Sequence, residues 1–351
     1  MSASYPHVLV VGAGIVGAAI AWNLARTGAR VTVLDAGSAG GLATRASLAW
    51  INASYGNPEP YFHLRMRAMA EWRTLHEALP AVPLRWSGGL LWNRPRAALE
   101  ELAARHAGWG YAVRAVEQAE IARMEPALAA PPAFALYAPE EGMVEPVETA
   151  RILLDAARTL GAELIEGRRV LALETAGGKV TGLRTDAGSL AADEVVLAAG
   201  TGTGALAASA GVTLPMLHSP ALQLTTKPLP PLLNGLILPP DLELRQTAGG
   251  RLIAVADIEG SDAEAAAATL DVVRRMLKPG IDIAPEGHRV GERPVPGDRF
   301  PALGRAGIDG LYLAVTHSGV TLAPILGLFA AGEILKGERD PLLAPYGPDR
   351  F

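Results

Sequence analysis

The apolar run Val8-Leu-Val-Val stops at Gly12, and residues 15–27 then carry Ile20, Leu24 and neighbouring alanines on one side at helical spacing. Gly28 closes that helix, and Arg30-Val-Thr-Val-Leu34 forms a second β-rich run ending at Asp35. The pattern predicts strand, helix, strand, with a helix long enough to cross over between two parallel strands.

Related patterns return far along the chain. Residues 147–160 predict a helix, and residues 163–165, 169–174 and 180–185 predict strands. Asp193-Glu-Val-Val-Leu-Ala-Ala-Gly200 reads as a strand entering a glycine-rich turn. Gly310-Leu-Tyr-Leu-Ala-Val315 is another strand, followed by Thr316-His-Ser-Gly319 and a helix from about 322 to 335. The expected fold class is therefore α/β, with one Rossmann-type domain assembled from residues 1–78, 140–215 and 290–351. Residues 79–139 and 216–289, with strand-like runs at 222–226, 242–246 and 252–255, are expected to build an α+β substrate domain around a largely antiparallel sheet. Proline clusters at 228–231 and 239–240 read as turns. A helix over about 61–78 carries Arg65, Arg67, Glu71 and Arg73, read as a solvated face with an Arg67 to Glu71 pair.

Composition narrows the classes. Half of the 351 residues are apolar, enough for a sizeable core, and a net charge of −5 offers no basic field for nucleic acid. Without cysteine there is no disulfide, no thiolate metal ligand and no cysteinyl flavin link. The seven histidines show no metal-ligand spacing, so no metal is expected. Gly-x-Ser-x-Gly is absent, which argues against a hydrolase. The apolar residues 8–25 lack a preceding basic region and contain glycines, Trp22 and Asn23, so no transmembrane segment is expected there, and the composition suits the cytoplasm.

Gly12-Ala13-Gly14-Ile15-Val16-Gly17 matches G-x-G-x-x-G between a strand and a helix, with Asp35 eighteen residues after the last glycine. Gly12 permits the tight turn, Gly14 lets backbone N–H groups approach a pyrophosphate, and Gly17 allows close packing of helix on strand. Asp35, followed by Ala36, can accept hydrogen bonds from ribose hydroxyls. A plain NAD dehydrogenase continues through regular βα units. This chain leaves after Asp35 and returns through Ala198-Ala199-Gly200 and residues 315–319, an order that favours FAD.

With those residues in view, the chain resembles the D-amino acid oxidase, glycine oxidase and sarcosine oxidase superfamily of FAD-dependent oxidoreductases over nearly its whole length. The matching parts are the fingerprint, Thr44-Arg45-Ala46-Ser47, Gly142-Met-Val-Glu-Pro146, residues 195–200, Gly291-Glu-Arg-Pro294 and residues 316–327. The resemblance implies that residues 44–47 lie along a non-covalent flavin, or at least one not linked through Cys. It further implies that backbone around Val170 meets the adenine, that Ala199 and Gly200 pass near the cofactor, and that His317, Ser318, Gly319, Val320 and Thr321 face the pyrimidine end of the ring. A positive helix N-terminus there stabilises charge on the reduced flavin.

The resemblance also implies an arginine for a substrate carboxylate, with Arg293 the first candidate and Arg245 the second. Trp50 and Tyr55 are nominated as pocket aromatics. The expected reaction is oxidation of a small amine or amino acid by hydride transfer to flavin N5, giving an imine that hydrolyses, with oxygen or another electron acceptor closing the cycle. Sarcosine oxidases carry a lysine near the flavin, and the matching stretch Gly250-Arg-Leu-Ile-Ala254 has none. Two alternatives stand beside this reading: a 2-hydroxy acid dehydrogenase using His317 as base, and a non-catalytic FAD-binding subunit.

Overall fold

A computed structural model describes residues 5–351. The first predicted unit forms as His7–Val11, Ile15–Arg26 and Arg30–Leu34. Val8, Leu9, Val10 and Leu34 have no exposed surface, as expected of parallel strands covered on both faces. Chain segments far apart in sequence complete a six-stranded sheet in the order Ala302–Arg305, Leu311–Val315, Glu194–Leu197, His7–Val11, Arg30–Leu34, Glu163–Ile165. Every neighbouring pair is parallel except the outermost, Ala302–Arg305 with Leu311–Val315. The strand His7–Val11 sends its crossover to one side and meets Glu194–Leu197 on the other, so a crevice opens at the carboxyl ends beside Gly12.

Two helices pack together over this sheet. Helix Gly319–Lys336 crosses Ile15–Arg26 so closely at Gly327 that a Cβ there would fall 2.4 Å from Ala19 O. It begins at Gly319 and not near 322, one turn earlier than its apolar spacing suggests. Pro324 lies inside it and has no N–H to give Val320 O, and Trp72 Nε1 donates to that freed carbonyl at 3.1 Å and to Thr321 O at 3.0 Å. This pins helix Glu59–Ala78 to the start of helix Gly319–Lys336. The latter is long and apolar enough to cross a membrane, but most of it is buried as a core helix.

The second large sheet has eight strands in the order Pro285–Glu292, Pro220–Thr226, Leu252–Ala256, Glu243–Gln246, Leu236–Leu238, Gly89–Leu91, Phe134–Ala138, Arg114–Glu117. It is antiparallel apart from the parallel pair Leu236–Leu238 with Gly89–Leu91, where the two predicted stretches join. Strand Pro285–Glu292 runs through residue 290, where the sequence reading divides the chain.

Side-chain alternation gives this sheet two distinct faces. Leu222, Leu224, Leu244, Leu252 and Ala254 point to one, covered by helix Asp262–Met276. The sequence reading leaves that helix unassigned because its first half is nearly all alanine and shows no apolar stripe. Ser261 starts it as a capping box with Glu264. The registers Ala221 with Gly291, Gln223 with Val255, Glu243 with Val255 and Arg245 with Ile253 place those residues on the opposite face. Gln223 donates to Ser47 O at 3.0 Å, so this face looks toward the six-stranded sheet and the 44–47 segment.

Candidate active site

The glycine fingerprint closes as its spacing requires. Gly12 adopts φ +109°, and a Cβ there would lie 2.3 Å from Ala198 O, while one at Gly17 would lie 1.9 Å from Gly12 O. Ala13 N donates to Asp35 Oδ2 at 2.8 Å and Gly37 N to Asp35 Oδ1 at 2.8 Å, which holds the acid against the turn with its outer lone pairs facing away from the backbone. Ala36 beside it is exposed. Gly167 N donates to Gly37 O and Arg168 N to Asp35 O, which fixes the turn before strand Val170–Ala176 against the end of strand Arg30–Leu34.

Thr44 is buried and accepts from Ile15 N at 3.1 Å, so the short helix Leu42–Arg45 sits on the N-terminus of helix Ile15–Arg26. Arg45 braces this loop through Ser38 Oγ at 2.8 Å and Ala39 O at 2.6 Å. Ala46 meets the second sheet so closely that a Cβ at Gly291 would fall 2.3 Å from its own Cβ. The segment therefore bridges both sheets. A Cβ at Gly319 would lie 3.1 Å from Val16 Cγ2, so the N-termini of the two central helices converge on one cradle of positive backbone ends.

The buried hydroxyls of Thr316 and Thr203 have no hydrogen-bond partner among the described residues; Thr316 directly follows strand Leu311–Val315, and Thr203 opens helix Thr203–Ala208 after the turn that leaves strand Glu194–Leu197. Ala199 and Gly200 lie between, Gly200 with φ +57°. Unsatisfied hydroxyls, glycines that clear the backbone and two helix N-termini are what a dinucleotide with polar groups along its length requires.

At the N-terminus of helix Gly319–Lys336 the structure corrects the reading of Arg65 as part of a solvated face. Arg67 and Glu71 do pair at 3.0 Å on the outside, and Arg73 stacks on Trp86 with 4.0 Å to the ring centroid. Arg65, two residues from Arg67, turns inward and is 4% exposed. Its Nε donates to Asn52 O at 2.9 Å, Nη2 to Asn52 Oδ1 at 2.6 Å and Nη1 to Ser318 Oγ at 2.5 Å. Thr321 Oγ1 donates to Trp50 O at 3.0 Å, tying the helix start to the 50–55 loop. His317 is exposed at the surface of the crevice yet closely surrounded by protein, and that burial first, then Arg293 and Arg65, lowers its pKa to about 4. The two cations reinforce the burial, so the imidazole is neutral at neutral pH.

The two arginine candidates separate cleanly. Arg245, 2% exposed, forks onto Glu145 of the Gly142-Met-Val-Glu-Pro146 motif at 2.9 and 3.1 Å. This corrects its nomination as a carboxylate anchor: its fork is spent tying the second sheet to the start of helix Pro146–Thr159. Arg293 follows Gly291 on the cofactor-facing side of the sheet and is 30% exposed. It is held only by Pro220 O at 3.3 Å and by Asp257 at 3.6 Å, a carboxylate that is itself 90% exposed.

Glu243, which the sequence reading passed over, shares that face. Burial pushes its carboxyl up to about 7, Arg293 pulling down and Asp257 pushing up. Tyr55, a residue 44% exposed, belongs to the same group, its hydroxyl raised by burial and then by Glu243. The signal was available: strand alternation over Glu243–Gln246 puts Glu243 on the same side as Arg245.

Trp50 is a buried brace. Its Nε1 donates to Glu141 Oε2 at 2.8 Å, and Glu141, with no exposed surface, also accepts from Ala53 N at 3.0 Å, Ser54 N at 2.8 Å and the Tyr111 hydroxyl at 2.9 Å. Four donors from the flanking loop and helix end are thus gathered on one carboxylate. Glu141→Gln replaces Oε2 with an amide that faces the Trp50 N–H donor to donor. We expect a loss of about 1–3 kcal/mol in unfolding free energy, read as a lower urea midpoint with unchanged slope.

The comparisons with known proteins agree with this geometry. The family described as FAD dependent oxidoreductase matches residues 7–332. The chain belongs to that family. It is 28% identical to the glycine oxidase of Geobacillus kaustophilus over 98% of its own length and 96% of the relative's. It is 29% identical to a bifunctional ThiO/ThiG protein of Synechocystis sp., of which it spans about half, 54%. The crystal structure of the Geobacillus kaustophilus glycine oxidase superposes with a TM-score of 0.89 at 25% identity, covering 99% of both chains. The chain is thus an FAD-dependent oxidoreductase, and with no cysteine its FAD is not held through a Cys sulfur.

Proposed function

We propose that this oxidoreductase oxidises a small amine or amino acid to an imine, which water then hydrolyses. The observation that carries this reading is Arg293: a guanidinium two residues beyond Gly291, which packs on Ala46, close enough to His317 and Glu243 to bias their protonation, with its fork free of any tight carboxylate pair. A substrate carboxylate suits that fork, and pairing with it orients the amine-bearing carbon toward the crevice. FAD supplies the two-electron acceptor when bound. In the substrate the C–H bond breaks, the nitrogen lone pair forms C=N, and the reaction asks of the chain mainly positioning and a neutral amine. Tyr55 and the 50–55 loop, braced through Trp50 by Glu141 and tied to Thr321, wall the space.

The 2-hydroxy acid alternative needs a base for the hydroxyl proton. With a pKa of about 4, His317 is poorly suited to that task near neutrality. An anaerobic screen of amino acids, N-alkyl amino acids, simple amines and hydroxy acids, read by loss of flavin absorbance and repeated with air, tests the proposal. Bleaching by an amine or amino acid supports it. Bleaching by hydroxy acids alone, or by none of these, overturns it. Recovery of the oxidised spectrum in air marks oxygen as an acceptor, and its absence marks another.

Glu243 gives this site a pH dependence. Below pH 7 its carboxyl is protonated and neutral. Above pH 7 it is an anion that competes for Arg293 and repels a substrate carboxylate. The affinity for a non-oxidisable amino acid analogue is therefore expected to fall as pH rises through about 7. In Glu243→Gln that inflection disappears while affinity at high pH improves, as measured by titrating the flavin spectrum.

A further inference from the structure

Arg65 is a buried cation without a counter-charge. Its three hydrogen bonds go to a backbone carbonyl, an amide oxygen and a hydroxyl, all neutral, and its guanidinium lies over the Tyr61 ring at 5.4 Å from the centroid. Among the described residues no carboxylate lies within 4.0 Å of it, whereas the other arginine as deeply buried, Arg245, has Glu145. Removing a charge from water while supplying only neutral acceptors is unfavourable unless an anion joins it. The acceptors also fix where the charge sits. Asn52 belongs to the loop joined through Trp50 to Thr321, and Ser318 immediately precedes helix Gly319–Lys336, so Arg65 adds a full positive charge to the partial one already at that helix start. The unsatisfied Thr316 hydroxyl stands two residues before Ser318 and independently marks this end of the cradle as a place where a polar ligand group is missing from the protein's own bonding.

We propose that Arg65 is a positioning residue for charge: with Ser318 and the N-terminus of helix Gly319–Lys336 it stabilises the negative charge that the bound FAD acquires on reduction, and so raises the cofactor's readiness to accept electrons. Arg65 acts whichever substrate is oxidised. The inference rests on FAD binding and not on the amine reading, so the two fail separately.

The sign follows from electrostatics. A fixed cation favours the more negative of two states, so it raises the reduction potential and tightens sulfite, which adds to oxidised flavin and leaves the ring system negatively charged. The test uses FAD-loaded protein without substrate. In Arg65→Gln the sulfite dissociation constant is expected to rise about tenfold and the two-electron potential to fall by roughly 30 mV, the same factor converted. Arg65→Lys keeps the charge but loses the fork, and is expected to stay within about twofold of the parent.

A purely structural clamp predicts that Lys behaves like Gln, because both lose the forked contact with Asn52. That result overturns the proposal, as does a Gln variant that retains FAD with both values unchanged. If Arg65→Gln does not retain FAD, Arg65→Lys decides: sulfite affinity within about twofold of the parent supports the proposal, and a loss of about tenfold overturns it.

Discussion

Arg293→Ala is expected to lower kcat/KM for an amino acid substrate about a hundredfold to a thousandfold, the usual cost of truncating one partner of a charge pair made in a sheltered site. FAD content and thermal midpoint should stay near those of the parent. Among the described residues the side chain's polar partners are Pro220 O and the exposed Asp257, so no tight or buried ion pair is lost with it. Arg293→Lys keeps the charge without the fork and should fall between the two. For a simple amine without a carboxylate the loss should be small, and this contrast separates a carboxylate anchor from a residue needed only for the shape of the cavity. Steady-state kinetics with both substrate types check it, and equal kinetics in parent and variant remove Arg293 from the scheme.

Gly17→Val is expected to abolish FAD retention and most soluble protein. A Cβ at Gly17 would fall 1.9 Å from Gly12 O and 3.0 Å from Gly12 C, and both atoms are backbone locked between a strand and the crevice. Neither can yield as the tip of a flexible side chain can, so the helix must lift from the sheet and take its N-terminus with it. Gly14 presents a graded comparison: a Cβ there would meet only Thr44 Oγ1 at 3.3 Å, so Gly14→Ala should fold and lose FAD affinity without losing the protein. Gly108, at the end of a surface helix, would give its Cβ nothing within 4 Å and serves as the control. The flavin-to-protein absorbance ratio and the thermal midpoint report the series, and a Gly17→Val protein that retains FAD would contradict this account of the fingerprint.

The strand, turn and helix that hold the nucleotide were legible because their signals are local. Apolar runs of the right length, glycines at fixed offsets and an acid at the end of the second strand lie within about 30 residues. The return of the chain through residues 193–200 and 310–315 was legible for the same reason, since each strand buries both faces and reads as an unbroken apolar run. The alanine-rich helix Asp262–Met276 was not, because alanine carries helix propensity without marking which side is covered. Helix Gly319–Lys336 began a turn early because Val320 and Thr321 are held there by Trp72 and Trp50, contacts from distant segments.

The site divides along the same line. Residue order alone was enough to identify a dinucleotide cradle, since that depends on backbone spacing, while Arg293 was nominated through a short motif shared with the resembling family. The sequence put Arg293 ahead of Arg245 without the physical reason for that order, because the difference is Glu145, which reaches only one of them from 100 residues away. Nor could it separate Arg65 from Arg67: the two lie on one polar stretch of helix, and only the packing of Glu59–Ala78 against the start of Gly319–Lys336 turns one inward and leaves the other in water. Charge type and period are properties of the chain, whereas burial and the identity of a partner are created when separate elements meet. For this protein that meeting decides which arginine is left without a tight carboxylate pair, which is spent on an ion pair and which stands as an unpaired charge at the cofactor's cradle.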